Sequence, residues 1–185
     1  MIEHQLINSV KYWIEKTIIG YNFCPFAKKE FEARRIHYEV VNDYNLEEQL
    51  HAIVNEFKRL DANSEIETII LILPVGLESF FDYLNFLDIA NELLVEQGYD
   101  GVYQLASFHP DYCFEGTRQD DAENFTNRSP YPLVHILRES TVEKAIAKYP
   151  DPEKIPERNI AVARQATKVP FLKILQESKD YSGNH

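Results

Sequence analysis

Apolar residues along the chain alternate between helical and strand spacing. Ile2, Leu6, Val10, Trp13, Ile14 and Ile18 recur at steps of three and four, which predicts an N-terminal helix, and Gly20 is placed to stop it. Cys24-Pro25 reads as a second helix start, with proline at the first helical position. Ile36, Tyr38 and Val40 alternate with polar residues, as a half-buried strand over 36–41 does. Asn45 with Glu48 forms a capping box, and Leu46, Leu50, Ile53, Val54 and Phe57 make the stripe of the helix it opens. Ile66 to Leu73 is an almost unbroken β-branched and leucine run ended by Pro74, so it reads as a strand buried on both faces. A helix from about Glu78 to Gln97, closed by Gly98, and a third strand from Val102 to Phe108 complete the series.

This β-α-β-α-β order with short connections predicts an α/β fold built on a three-stranded, mainly parallel sheet in the order 1-2-3. Right-handed crossovers running in one direction put both crossover helices on one face of that sheet. The N- and C-terminal helices then cover the other. The last third reads as helical pieces punctuated by proline: Pro132 opens a short helix through Glu139, and Ser140 with Glu143 makes a second capping box. Asp151-Pro152 and Ile155-Pro156 mark further starts, Pro170 interrupts the segment before Phe171–Ser178, and residues 181–185 are expected to fray. No internal repeat or linker divides the 185 residues, so a single domain over 1–185 is expected.

The net charge of −11 works against nucleic acid and anionic membrane as partners, because both need clustered Lys and Arg. The charge is local. Residues 43–100 hold 13 acidic and 2 basic residues (Lys58, Arg59), while the rest of the chain is balanced. In the 78–97 helix Glu78, Asp82, Asp88, Glu92 and Glu96 fall on one arc, which reads as a solvated outer face. Two cysteines, Cys24 and Cys113, are too few for a disulfide framework, and no basic start with an apolar run marks a signal peptide. Without such a signal the sequons at Asn124 and Asn127 read as coincidence. A cytoplasmic protein with reduced thiols is expected.

One segment fits neither period. From His109 to Tyr131 the chain is polar, rich in reactive groups and long for a loop inside a compact domain. It leaves the C-terminal end of the third strand, where open α/β sheets place ligands. A functional loop over 109–131 is therefore expected.

Several stretches carry a resemblance: Gly20-Tyr21-Asn22-Phe23-Cys24-Pro25-Phe26-Ala27, Ala106-Ser107-Phe108-His109-Pro110, and Asp120-Asp121. Asn124, Thr126-Asn127-Arg128-Ser129-Pro130-Tyr131-Pro132, His135, Leu137-Arg138-Glu139, Asp151-Pro152 and Ile155-Pro156-Glu157-Arg158-Asn159 extend it. On these the chain resembles the bacterial domain of unknown function 1415 family over about Gly20 to Asn159. The resemblance implies a bacterial cytosolic protein and supplies no mechanism.

Three chemistries compete in the loop. The first is an anion site. Arg118, Arg128, Arg138 and Arg158 lie in or after it, Thr126, Asn127 and Ser129 add neutral donors, and His135 stands close by. Pairing of these arginines with Asp111, Glu115, Asp120, Asp121 and Glu123 would instead hold the loop together. The second is metal, best met by Mg²⁺ on Asp120 or Asp121 together with a substrate phosphate, since zinc spacings are absent. The third is thiol chemistry, with Cys24 activated at a helix start and His109 as base; a packed, inert Cys24 is the alternative. The expected function is a small-molecule enzyme acting on an anionic, for example phosphorylated, substrate. Arg128 binds the anion with Arg118 or Arg138, Asp121 holds a metal or acts as base, and His109 moves a proton. The alternatives are a thiol-dependent redox or transfer enzyme using Cys24, and a non-catalytic ligand-binding or protein-interaction domain. The last predicts that His109, Asp121 and Arg128 share no cleft.

Overall fold

The computed structural model describes residues 3–181; Ile2 and residues 182–185 of the expected fraying tail lie outside them. Helix α1 (Glu3–Trp13) continues as a π-helical turn over Ile14–Ile19. Gly20 ends it in a place only glycine fills, because a Cβ there would meet the Lys16 carbonyl oxygen at 2.3 Å. The short helix α2 (Ala27–Glu32) begins after Phe26, so Cys24 and Pro25 lie in the turn ahead of it and not at its first positions. Strand β1 (Ile36–Val40) is followed by α3 (Leu46–Ala62), whose Asn45 cap accepts the Glu47 amide at 2.8 Å. Strand β2 (Thr68–Ile72) is buried throughout. Helix α4 (Phe80–Glu96) is capped by Ser79 and leads through Gly98, at φ +79°, to β3 (Tyr103–Phe108).

The expected 1-2-3 sheet is corrected by a fourth strand. Residues Leu133–Arg138 form β4, and the sheet order is β1-β2-β4-β3. Strands β1 and β2 pair in parallel, while β4 runs antiparallel to both β2 and β3. The sheet is therefore mixed. Pro132 precedes a strand and does not open a helix. The physical reason is that Leu133-Val134-His135-Ile136 alternates between two buried faces: Val134 and Ile136 face one core, Leu133 the other. A short apolar run is ambiguous between helix and strand, and proline before a strand needs no ladder donor. Its carbonyl accepts from Leu73 N at 3.0 Å.

The two crossover helices cover one face of the sheet and α1 the other, which, among the described residues, the C-terminal helices reach only through Leu175. Ile53, Phe57 and Leu60 of α3 and Tyr83, Phe86 and Ala90 of α4 pack on Ile69, Leu71, Val134 and Ile136. On the other face Leu6, Val10 and Trp13 of α1, with Ile14 and Ile18, cover Ile70, Ile72 and Leu133. The C-terminal pieces are α5 (Glu139–Ile146), α6 (Ile155–Ala166) and α7 (Lys168–Asp180). Helix α5 starts one residue before Ser140, so the Ser140/Glu143 box does not cap it. Tyr181 packs against Tyr12 in a tilted ring pair with centroids 4.8 Å apart. A third core of Phe23, Phe125, Ala163 and Phe171 ties the 20–27 segment, the loop and helices α6 and α7 together. No helix among the described residues is long and apolar enough to cross a membrane.

Candidate functional site

The inner part of the 109–131 loop is a hydrogen-bonded knot. His109 is 0% exposed and wedged between the rings of Phe80 (5.2 Å) and Tyr83 (5.0 Å). Its Nδ1 accepts the Asp111 amide at 3.0 Å, so Nε2 carries the proton and donates to the Leu77 carbonyl, also at 3.0 Å. Burial lowers its pKa, which keeps the ring neutral. Both nitrogens are thus occupied within the chain. Asn124, 0% exposed, accepts from the Phe114 amide at 3.0 Å and donates to the Arg118 carbonyl at 2.7 Å. Cys113 Sγ lies 3.5 Å from the Thr117 hydroxyl in the same knot.

The neutral donors proposed for an anion are also used internally. Thr126 Oγ1 donates to the Glu123 carbonyl at 2.8 Å, Asn127 Nδ2 to Ser107 at 3.1 Å, and Ser129 Oγ to Tyr131 at 2.6 Å. Arg128 stacks on Phe125 at 4.6 Å and donates to the carbonyls of Tyr112 (3.0 Å) and Gln119 (2.5 Å) and to the Gln119 side chain (2.6 Å). It forms no ion pair with a described carboxylate, and burial lowers its pKa. A guanidinium tied to two backbone carbonyls and a side-chain amide acts as a cross-brace.

The outer lip of the loop differs. Asp121 accepts from Arg118 N at 2.9 Å and from the Arg118 guanidinium at 3.2 and 3.1 Å, which holds its carboxyl below the usual range. Asp120 is exposed and only loosely met, by Arg118 at 3.9 Å and Lys168 at 3.6 Å. Behind them Arg164 forks onto buried Glu123 at 2.6 and 3.2 Å. Asp120, Asp121 and Glu123 line an open cleft of about 500 Å³ with Arg164, Thr167 and Lys168. Thr167 joins α6 to α7 at φ +62°, ψ 174°, a conformation costly for a β-branched residue. Of the two expected metal residues, Asp120 is the one whose carboxylate is not already engaged by a tight fork. One such carboxylate suffices for Mg²⁺ only if a ligand phosphate supplies the rest.

The remaining candidates stand apart. Cys24 packs against the α1 core; burial raises its thiol pKa, only partly offset by the Phe26 and Ala27 amides. That opposes the activated thiolate a nucleophile requires. His135 sits in mid-sheet on β4, with Nε2 at 2.6 Å from the Thr68 hydroxyl. Because that hydroxyl donates to the Ile136 carbonyl, His135 is the donor, and burial depresses its pKa to about 4. Arg138 closes the end of α3, donating to the carbonyls of Leu60 (2.6 Å), Ile66 (3.2 Å) and Asn63 (3.3 Å). Arg158 donates to the Asn22 carbonyl, and Asn159 to Phe23 O at 2.7 Å, so together they fasten the 20–27 segment to α6.

Sequence reasoning missed Arg164, Thr167 and Lys168, which join the loop only through tertiary packing. It also passed over His37, Glu39 and Glu56, whose ligand atoms lie within 4.8 Å of one another. The i, i+2 spacing of His37 and Glu39 on a strand was the available signal. There Arg59 already bonds Glu56 at 2.8 and 3.0 Å and lies 3.6 Å from Glu39, so a guanidinium neutralises the carboxylates.

A family model described as "Protein of unknown function (DUF1415)" matches residues 5–172, and the chain belongs to that family. No curated protein and no solved structure matches the chain.

Proposed function

We propose that this member of the DUF1415 family binds an anionic small molecule in the cleft between the outer lip of the 109–131 loop and the α6–α7 joint. The observation that carries this reading is convergence. Asp120, Asp121 and Glu123, all singled out in the sequence, line one open cleft, and they do so beside Arg164 and Lys168. Lys168 is held by Asp120 at 3.6 Å, loose enough to turn to a ligand at little cost, whereas Arg118 stays forked onto Asp121. Asp120 would then carry Mg²⁺ with a phosphate of the ligand. Thr167, in its strained backbone, supports the same place, since such strain clusters at ligand clamps.

The reading favours binding over acid–base chemistry by His109, whose two nitrogens are committed, and over thiol chemistry at Cys24, whose partly buried thiol has a raised pKa. If the cleft does run a reaction, Asp120 is its available base. Unpaired Cys24 and Cys113 fit a reducing, cytoplasmic setting, which is part of the proposal.

Calorimetric titration with inorganic pyrophosphate, with and without Mg²⁺, tests it. The wild-type chain should bind, Lys168→Ala should bind about tenfold more weakly, and Asp120→Asn should lose the Mg²⁺ dependence. No binding, or binding indifferent to Lys168, would refute the site.

A further inference from the structure

The most apolar of the long helices is not fully covered. Helix α4 turns Tyr83, Phe86, Leu87, Ala90 and Leu94 into the core. Its opposite side still shows Phe81 (71% exposed), Leu84 (40%) and Val95 (56%). With Asp88 and Glu92 these follow at steps of three, four, four and three, so they form one stripe down the outside of the helix. The acidic arc expected to be merely solvated is therefore an apolar stripe edged and interrupted by carboxylates. Asp82 and Glu96 add to its flank, and no Lys or Arg occurs anywhere between Arg59 and Arg118.

We infer that this face of α4 is a docking surface for a basic amphipathic helix of a partner protein. Charge chooses the occupant. A second copy of this chain seated symmetrically on the stripe would bring Asp88 and Glu92 against their own counterparts, with no basic residue on α4 to relieve them. Nucleic acid and anionic lipid are repelled by the same carboxylates. A partner helix with leucine-like side chains on one side and Lys or Arg flanking them would cover Phe81, Leu84 and Val95 and meet the carboxylates. The stripe from Phe81 to Val95 is roughly 21 Å long, the rise of a partner helix of about 14 residues. This surface lies on a helix that contributes no residue to the 109–131 cleft and is independent of the function proposed there.

The test is fluorescence anisotropy with a labelled synthetic amphipathic Lys/Leu helix, a scrambled peptide of the same composition, and sedimentation velocity of the chain alone. The amphipathic peptide should bind about tenfold tighter than the scrambled one. Phe81→Ser with Val95→Ser should remove that preference while the thermal melt stays unchanged, because both side chains are already in water. Asp88→Lys with Glu92→Lys should weaken binding and flatten its salt dependence. Equal binding of both peptides, or a preference that survives the Phe81/Val95 change, would overturn the inference. So would a dimer of the free chain that Phe81→Ser disperses, which would make a second copy the occupant.

Discussion

The two halves of the 109–131 loop have similar residue types and opposite physical states. In the inner half His109, Asn124, Asn127, Arg128 and Ser129 spend their donors and acceptors on the chain's own backbone. On the outer lip Asp120 and Lys168 meet only through a long, solvent-facing contact, while Arg118 is forked onto Asp121. A loop without regular structure must find partners for its backbone amides and carbonyls, and polar side chains next to it are the nearest supply. Density of reactive groups therefore marks a loop that is hard to build as well as one that binds something. What distinguishes the two is which groups remain loosely paired.

Perturbing the inner half should cost stability. His109→Ala removes two hydrogen bonds and the ring packed between Phe80 and Tyr83, and should lower unfolding free energy by about 3 kcal/mol in urea titration. A loss below about 1 kcal/mol would put His109 back among candidates for chemistry. Arg128→Ala should cost about 2 kcal/mol and open the loop to proteolytic nicking near Gln119, whose carbonyl it braces.

Acid should act on the histidines that the fold keeps neutral. His135 is held neutral with a pKa of about 4, below the roughly 6.5 of an unfolded histidine. The unfolded chain thus takes up the proton first as pH falls. Stability should be full above about 6.5 and decline toward 4, by about 2 kcal/mol from this residue. Burial lowers His109 as well, which adds a decline of the same sign. In pH-dependent melts His135→Leu should flatten the curve in part, and an unchanged slope would contradict the assignment.

Lip substitutions should act in the other direction or not at all. Thr167→Gly relieves the positive-φ strain and should stabilise the fold by about 1 kcal/mol in chemical denaturation. Lys168→Ala should move stability by less than about 0.5 kcal/mol while weakening pyrophosphate binding, a separation that no inner-half variant should show.

Much of the scaffold was legible in the sequence because its periods were long and its caps explicit. Asn45, the buried run of β2 and the Gly98 stop all appear where the pattern put them. Strand β4 was not, because a six-residue apolar run after proline satisfies helix and strand alike until a partner edge is known. Once β4 sits between β2 and β3, His135 and Arg138 leave the loop for the sheet and the end of α3. The segment was identifiable as unusual from its lack of period. Its division into knot and lip was not, since Lys168 and Arg164 come from helices some forty residues farther along the chain.

The most direct test is an amide chemical-shift map of the chain titrated with inorganic pyrophosphate in Mg²⁺. Binding at the lip predicts shifts centred on Asp120, Asp121, Arg164 and Lys168, with His109, Arg128 and Cys24 unmoved. Shifts centred on His109 and Arg128, or on Cys24, would contradict the account.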